Sequence, residues 1–313
     1  MDKAISYRKE IFMLVTMKEI LEHAKEGNYA VAAPNILDEG TLRAVVEVAE
    51  ELNAPMIIDL DYGCHENDFD YFGRMVCDII EKSKIPMCLN LDHGQNYEEV
   101  VRAIKAGFTS VMADYSTLPF EENVEKVKEV VNTAKQLGIT VESELGHVGR
   151  GENYAHDGYN NLTDPEEAER YVKETGVDCL AIAIGTAHGA YAKGQKPYID
   201  FERLAEIKNR VNVPLVLHGG SGTGDDNLQR AAHSGINKIN LCSDLYTAGK
   251  NNVLKTIAEG PAFPPYMFYN VFLDGFKTEL RRYVILFGQD NKAWTKEKGT
   301  QGAMFTFDTN RPM

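Results

Sequence analysis

No C-x-x-C pair occurs in this chain, no apolar run approaches the ~18 residues of a membrane span, and no cluster of Lys or Arg forms a basic stripe. Each absence excludes something. The five cysteines, Cys64, Cys77, Cys88, Cys179 and Cys242, are an odd number without paired spacing, which argues against a disulfide framework and for reduced thiols. Cys88 and Cys179 lie inside apolar runs, where small buried thiols belong. The first ten residues, MDKAISYRKE, lack the apolar segment of a signal peptide, so a cytoplasmic location is expected. Acidic residues outnumber basic ones by 47 to 33, for a formal charge of −14. That balance disfavours nucleic acid and anionic membranes as partners. It leaves room for an anionic small molecule held by backbone N–H groups at a helix N-terminus.

What is present is a regular alternation. Its 313 residues accommodate either two domains or one barrel of roughly 250 residues with additions. Apolar strand candidates fall at 29–34, 55–60, 86–91, 109–113, 139–144, 179–184, 214–218 and 237–241, separated by charged stretches of helical period such as 120–137. Pro55, Pro86 and Pro214 open three of the strands, while Gly107, Gly138, Gly176 and Gly235 precede four others, as residues just past a helix end do. Eight βα units over about 230 residues predict an α/β fold of the (β/α)8 TIM-barrel type. A doubly wound open sheet is the competing layout.

The chain reads as one domain over 1–313, with an N-terminal helix at 16–27, the barrel at about 28–258 and a C-terminal helical extension at 259–313. Thr16 and Glu19 form a capping-box pattern for the first helix, which is expected to cover the barrel floor. A further helix is expected around 267–287. Two connections are long: 61–68, and 145–164, a candidate lid.

Active sites of such barrels form where the strands end. Asn35, Asp61, Asp92, His93, Asp114, Glu144, His188, His218 and Asn240 stand at or just past the predicted strand ends. Taken singly, Asp114 or Asn35 reads equally as a loop-start or helix-capping residue, and a lone His more often as a satisfied core residue; the convergence of all of them is the signal. His93, His188 and His218 each close an apolar run and each precede Gly. Three imidazoles with an open position suit a catalytic zinc, with Co²⁺, Fe²⁺ or Mn²⁺ as other occupants. His147 is the alternative ligand, because it opens the long loop. Asp92 is placed to act as acid or base beside a metal-polarised group, or to orient a histidine. Glu142 and Glu144 share one strand face, and a carboxylate inside a barrel calls for a counter-cation. The glycine-rich GGSGTG after strand 7 and NLCS after strand 8 occupy the positions where barrels bind phosphate through backbone amides.

Together, LDHG, VESELG, GTAHG, LHGGSG and KIN, in this order and spacing, resemble the class II, zinc-dependent ketose-bisphosphate aldolases, which include fructose- and tagatose-bisphosphate aldolases. The resemblance covers residues 14–288. It implies that His93, His188 and His218 bind catalytic zinc, that Asp114 and Glu144 hold a second divalent or monovalent cation, and that Asp92 exchanges the proton of the substrate's C4 hydroxyl. It further implies that Glu152, in GRGE of the long loop, handles the proton at the dihydroxyacetone phosphate carbon. Gly189, Gly219, Gly220, Ser221, Asn240 and Ser243 match positions that contact substrate and phosphate, with Leu241 and Cys242 between them. The expected activity is reversible retro-aldol cleavage of a ketose (bis)phosphate, a sugar phosphate being the small-molecule partner, and the expected assembly is a homodimer or homotetramer. A Schiff-base mechanism would need a lysine; Lys238 is the nearest, and it lies on the strand side of Asn240.

The chain departs from the family where substrate is recognised. Strand 2 ends in Asp61 where relatives place a Ser that contacts the phosphate of the ketone half. Cys242 stands where Asp, Asn or Ala is usual, strand 1 reads APNILD, and 257–280 contain no Arg for a distal phosphate. A carboxylate beside a phosphate dianion is unfavourable, so an atypical or singly phosphorylated ketose is an alternative substrate. A zinc hydrolase and a non-catalytic sugar-phosphate-binding barrel are alternative functions.

Overall fold

Eight short strands form the centre of the molecule: β1 (Val31–Pro34), β2 (Met56–Asp61), β3 (Met87–Gly94), β4 (Ser110–Ala113), β5 (Thr140–Leu145), β6 (Cys179–Ile182), β7 (Leu215–Leu217) and β8 (Ile236–Leu241). In this computed structural model, which describes residues 13–151, 161–189, 191, 197–260 and 264–295, each strand from β2 to β8 pairs in parallel with the next in sequence, and β8 pairs with β1. An isolated parallel bridge between Asn35 and Asp59 brings β1 alongside β2 and completes the circuit. The architecture is the predicted (β/α)8 barrel. Parallel neighbours cannot be joined by a tight turn, so a helix crosses back after each strand.

Those helices are α2 (Glu39–Leu52), α3 (Phe69–Ile80), α4 (Tyr97–Ala106), α5 (Phe120–Leu137), α6 (Pro165–Thr175), α7 (Phe201–Arg210), α8 (Asp225–Ser234) and α9 (Ser243–Glu259); α1 (Met17–Gly27) precedes the barrel and α10 (Phe268–Leu286) follows it. Side chains start them as the sequence pattern predicts. Thr16 accepts from the N–H of Glu19, Asp38 and Thr41 form a reciprocal capping box, and Asn96, Asp164 and Asp200 cap α4, α6 and α7. Each such cap contributes about 1 kcal/mol.

Two apolar layers result. The larger lies between strands and surrounding helices, with alternate strand residues such as Met56, Ile58 and Leu60 of β2 facing it. The smaller fills the barrel's lower end, where Met17, Ile20, Leu21 and Ala24 of α1 pack against Val31, Ile57, Cys88, Cys179, Ala181 and Val216. Full burial of side chains such as Ile20 and Leu21 stabilises the fold by roughly 1.5–3 kcal/mol each. From α10 the chain returns beneath the barrel, where Gln289 accepts from the N–H of Ala32 at 2.9 Å and donates to the carbonyl of Pro55. Among the described residues, no helix is long and apolar enough to cross a membrane.

Above the apolar floor the barrel interior turns polar. One strand period above Ile57 stands Asp59, above Cys88 stands Asn90, and on β5 and β8 the same level carries Glu142 and Lys238; all four are fully buried. Another period up come Asp61, Asp92, Glu144 and Asn240. The site is therefore carried on rigid strand positions and rests on a buried layer of ions and amides.

Candidate active site

The histidines from β3 and from the loops after β6 and β7 meet at the mouth. Ring centroids are 4.9 Å apart for His93 and His188, 4.6 Å for His93 and His218, and 5.6 Å for His188 and His218. One nitrogen of each lies within 4.8 Å of the others. His93 also joins Asp114 and Glu144 in a second cluster of the same compactness. Every metal-ligand position expected from the sequence is thus brought to one side of the mouth.

Local structure explains how. His93 adopts φ +51°, a left-handed conformation costly for a residue with Cβ, at the point where the β3–β4 register shifts between Leu91 and Gly94. The twist turns the imidazole away from the strand's regular alternation, so Asp92 and His93 both address the mouth; His93 Nε2 lies 4.0 Å from Asp92 Oδ1. His93 Nδ1 hydrogen-bonds Asp114 Oδ2 at 2.7 Å. His188 is fixed through its backbone: its N–H donates to Gly149 O, and its carbonyl accepts from the N–H of Gly151, both at 2.8 Å. Those glycines belong to the long loop after β5.

His218 is fully buried, and its Nε2 is 2.8 Å from Glu142 Oε1. Its Nδ1 is buried without a hydrogen-bond partner, as is Glu144 Oε2. An unpartnered buried nitrogen costs about 1–3 kcal/mol. A cation shared with the other two imidazoles would satisfy it, and a cation between His93, Asp114 and Glu144 would satisfy the carboxylate. The donor set fits a divalent metal.

The electrostatics agree. Burial would depress His93, but Asp92 and Asp114 outweigh it and raise the imidazole to about 10. Burial, then the charge of Asp114, raises Glu144 to about 8. Burial, then the neighbouring His218 and His93, lowers His188 to about 3. Asp92 is buried, yet the positive side chains around it hold its carboxyl below the usual range. Asn35 Nδ2 donates to Asp92 Oδ2 at 2.8 Å and Asn240 Nδ2 to Oδ1 at 3.1 Å, so both oxygens are aimed. His147 lies beside the second cluster, with Nδ1 3.0 Å from Ser116 Oγ and 3.7 Å from Glu144 Oε1.

The glycine-rich segments after β7 and β8 interlock. Gly220 donates its N–H to Asn240 O at 3.2 Å, and Ser221 Oγ accepts from the N–H groups of Cys242 and Asp244, each at 3.2 Å. A Cβ on Gly219 would stand 2.5 Å from Ala187 O, and one on Gly220 2.7 Å from Asn240 O, so glycine is required for the loops to approach. Gly189, Ser243 and Cys242 border the same region. The side chain of Leu241 faces the outer core, and only its main chain reaches the loop, where its carbonyl accepts from the N–H of Asn35. Asp61 stands apart from the histidines and accepts from the N–H of Gly63 at 2.7 Å. Glu152 lies outside the described residues.

Sequence reasoning missed the layer beneath. Lys238 Nζ is 2.8 Å from Glu142 Oε2 and 3.4 Å from Asp59 Oδ2, and Asp59 accepts from Asn90 at 2.8 Å and Asn240 at 2.9 Å. Burial would depress Lys238; Asp59 and Glu142 more than offset it and raise the ammonium well above its usual value. A fully buried, doubly paired ammonium is no Schiff-base nucleophile. The missing signal was available as polar residues two positions before each strand-end residue, repeated on four strands.

The model of the family "Fructose-bisphosphate aldolase class-II" matches residues 15–292. A fructose-bisphosphate aldolase of Thermus caldophilus is 37% identical over 305 residues, covering 90% of this chain and all of that one. The crystal structure of the YdjI aldolase from Escherichia coli K12 superimposes with a TM-score of 0.79 at 33% identity, covering 90% of this chain and 100% of that chain. The fructose-bisphosphate aldolase of Campylobacter jejuni, 20% identical, shares the fold, with a TM-score of 0.74 over 90% of this chain and 97% of its own. With catalytic-face geometry, family match and relatives in agreement, the chain belongs to the class II fructose-bisphosphate aldolases, metal-dependent aldehyde-lyases that act on sugar phosphates.

Proposed function

We propose that His93, His188 and His218 hold a catalytic zinc ion and that Asp92 is the acid/base of the aldol step. The observation that carries this reading is the convergence of three imidazoles around the unpartnered Nδ1 of His218, with Asp92 alongside. When bound, the cation supplies Lewis-acid stabilisation of the negative charge that develops at the substrate's ketone oxygen. Asp114 and Glu144, with His93, form the place for a second cation.

In the cleavage direction Asp92 takes the C4 hydroxyl proton, the C3–C4 bond breaks and C4 leaves as an aldehyde. The bond's electron pair passes into the three-carbon fragment. Protonation of that fragment at carbon by Glu152 yields dihydroxyacetone phosphate. Asn35 and Asn240 keep both Asp92 oxygens directed at the substrate, which favours the ionised base before the step. Gly219, Gly220 and Ser221, with Gly189, Asn240, Ser243 and the main chain of Leu241 and Cys242, cradle the phosphate of the dihydroxyacetone half.

For the aldehyde half we infer a group other than phosphate. Residues 257–280 hold no Arg for a distal phosphate, and the first arginines of α10 are engaged elsewhere: Arg281 pairs with Glu51 at 2.7 Å and Arg282 with Glu279 and Asp225 at 2.5 and 2.6 Å. The reading is a ketose lacking one phosphate, or one with a polar or cationic group near Asp61. A retro-aldol screen over ketose mono- and bisphosphates, with products identified and chelator controls, tests it. Preference for a bisphosphate would overturn the substrate reading; activity that survives full metal removal would overturn the metal reading.

The location proposed is the cytoplasm, and the assembly a homodimer or homotetramer. Leu254 and Ile257 of α9 and Tyr266, Met267 and Tyr269 leading into α10 are exposed together and offer an apolar surface for it. Sedimentation as a monomer at micromolar concentration would exclude that assembly.

A further inference from the structure

Lys238 is the most deeply buried cation among the described residues, and the aldol step proposed above has no use for its chemistry. Its position is informative. The ammonium lies between Glu142 and Asp59, and each carboxylate makes one contact toward the mouth. Glu142 Oε1 meets His218 Nε2 at 2.8 Å. Asp59 Oδ2 accepts from Asn240 Nδ2 at 2.9 Å, and the same amide donates to Asp92 Oδ1 at 3.1 Å. One side chain thus touches, through one intermediary, a metal ligand, and through two, the base. Asp59, Glu142, His218 and Lys238 are fully buried, so neither arm can exchange its partner for water.

We propose that Lys238 is a positioning residue for the catalytic face, acting through Glu142 on His218 and through Asp59 and Asn240 on Asp92. A carboxylate already accepting from an ammonium can only accept from the imidazole. His218 therefore carries its proton on Nε2 and presents Nδ1, the atom left unpartnered at the mouth, as its lone pair. Without the ammonium, Glu142 has no fixed direction and His218 no fixed tautomer or ring orientation. Partners one contact beyond a ligand of this kind typically change metal affinity by ~10–100-fold. The other arm explains how an amide can serve two carboxylates: Asp59, anchored by Lys238 and Asn90, holds one hydrogen of Asn240 and thereby sets the other toward Asp92.

This inference rests on the metal reading, and its test separates the two. Metal-free wild-type protein is titrated with Co²⁺, its visible spectrum recorded and its affinity measured by competition with a chromogenic chelator. Failure of the wild type to bind, or binding indifferent to His188→Ala, would remove the metal reading itself. Given wild-type binding, Lys238→Met and Glu142→Gln are each expected to bind Co²⁺ ~10–100-fold more weakly, with an altered visible spectrum and an unchanged far-ultraviolet circular dichroism spectrum. The double variant should be no weaker than Glu142→Gln alone, because the lysine acts on the metal ligand through that carboxylate. Should Lys238→Met fail to fold, the double variant, which leaves no unpaired Glu142 carboxylate, carries the test. Wild-type affinity and spectrum in a folded Lys238→Met or double variant, or additive losses, would overturn the proposal.

Discussion

The mouth of the barrel has two arcs built by different rules. From β3 round to β7, carboxylates and imidazoles are interleaved: Asp92 and Asp114 flank His93, Glu142 meets His218, and the remaining unpartnered atoms point at places a cation would fill. From β8 through β1 to β2, Asp61, Cys64 and Cys242 face the same opening, and among the described residues no Lys, Arg or His forms an ion pair with Asp61. The first arc is complementary within itself and needs only a metal. The second presents negative and weakly polar groups and needs something from the substrate. Apart from Asn35 and Asn240, which the second arc lends to Asp92, the proposed chemistry and recognition occupy different arcs, so recognition can change while the chemistry stays intact.

The largest effects should come from breaking the first arc. Asp92→Asn keeps the side chain's shape but removes the base and one of the two accepted hydrogen bonds, and should lower kcat by ~10²–10⁴-fold, with bound metal unchanged by elemental analysis. Metal removal by chelation should abolish activity and readdition restore it. If Asp92→Asn retained most of its rate, the assignment of the base would fail and Glu144 would be the group to test.

The same arc should show its charge in pH. His93, raised from near 6.5 to about 10, and Glu144, raised from near 4.5 to about 8, must each lose a proton to take a cation. For His93 the raised value means stability present at low pH and lost as pH rises toward 10. For Glu144 it means that ionising the buried carboxyl destabilises the metal-free fold as pH climbs from 4.5 toward 8. Metal reverses both. The Tm difference between loaded and metal-free protein should widen from pH 6 to 8, and affinity should rise about tenfold per pH unit for each proton displaced. A gap independent of pH would contradict the protonation states described.

The second arc is sharpened by Asp61→Ser. Two unit charges at 4 Å repel by about 1 kcal/mol in water and by more in a less polar cleft. Removing one should raise kcat/KM on a ketose bisphosphate about tenfold, while cutting it on the native substrate. Equal activity on both substrates before and after would show that Asp61 does not read the substrate.

Much of this was legible in the sequence, for a physical reason. A strand in a barrel exposes its end, so a polar residue and Gly after an apolar run mark the mouth, and His93, His188 and His218 could be placed before any coordinates. Helix limits followed from caps such as Thr16 and Gly138. The register within the barrel was less accessible. Whether Lys238 points inward depends on strand pairing and tilt, and a lysine two residues before a strand-end Asn reads as easily as a solvated strand start. The left-handed turn at His93 was equally hidden, because no sequence pattern distinguishes a histidine forced into that region from one that continues the strand.

The smallest effect is expected at Cys242. Desolvation in the mouth, then the nearby Asp92, Cys64 and Asp61, pushes the exposed thiol up to about 11, so in the metal-free protein it is neutral at physiological pH and a poor nucleophile. Cys242→Ala should change kcat by less than about threefold, under ~0.7 kcal/mol of activation free energy, and should leave Co²⁺ affinity untouched. Any change should appear in KM for the ketose, since the residue's N–H is tied to Ser221 in the proposed phosphate cradle. A tenfold fall in kcat at constant KM would place the thiol in the reaction itself, and the division of the mouth into a chemical arc and a recognition arc would have to be redrawn to include β8.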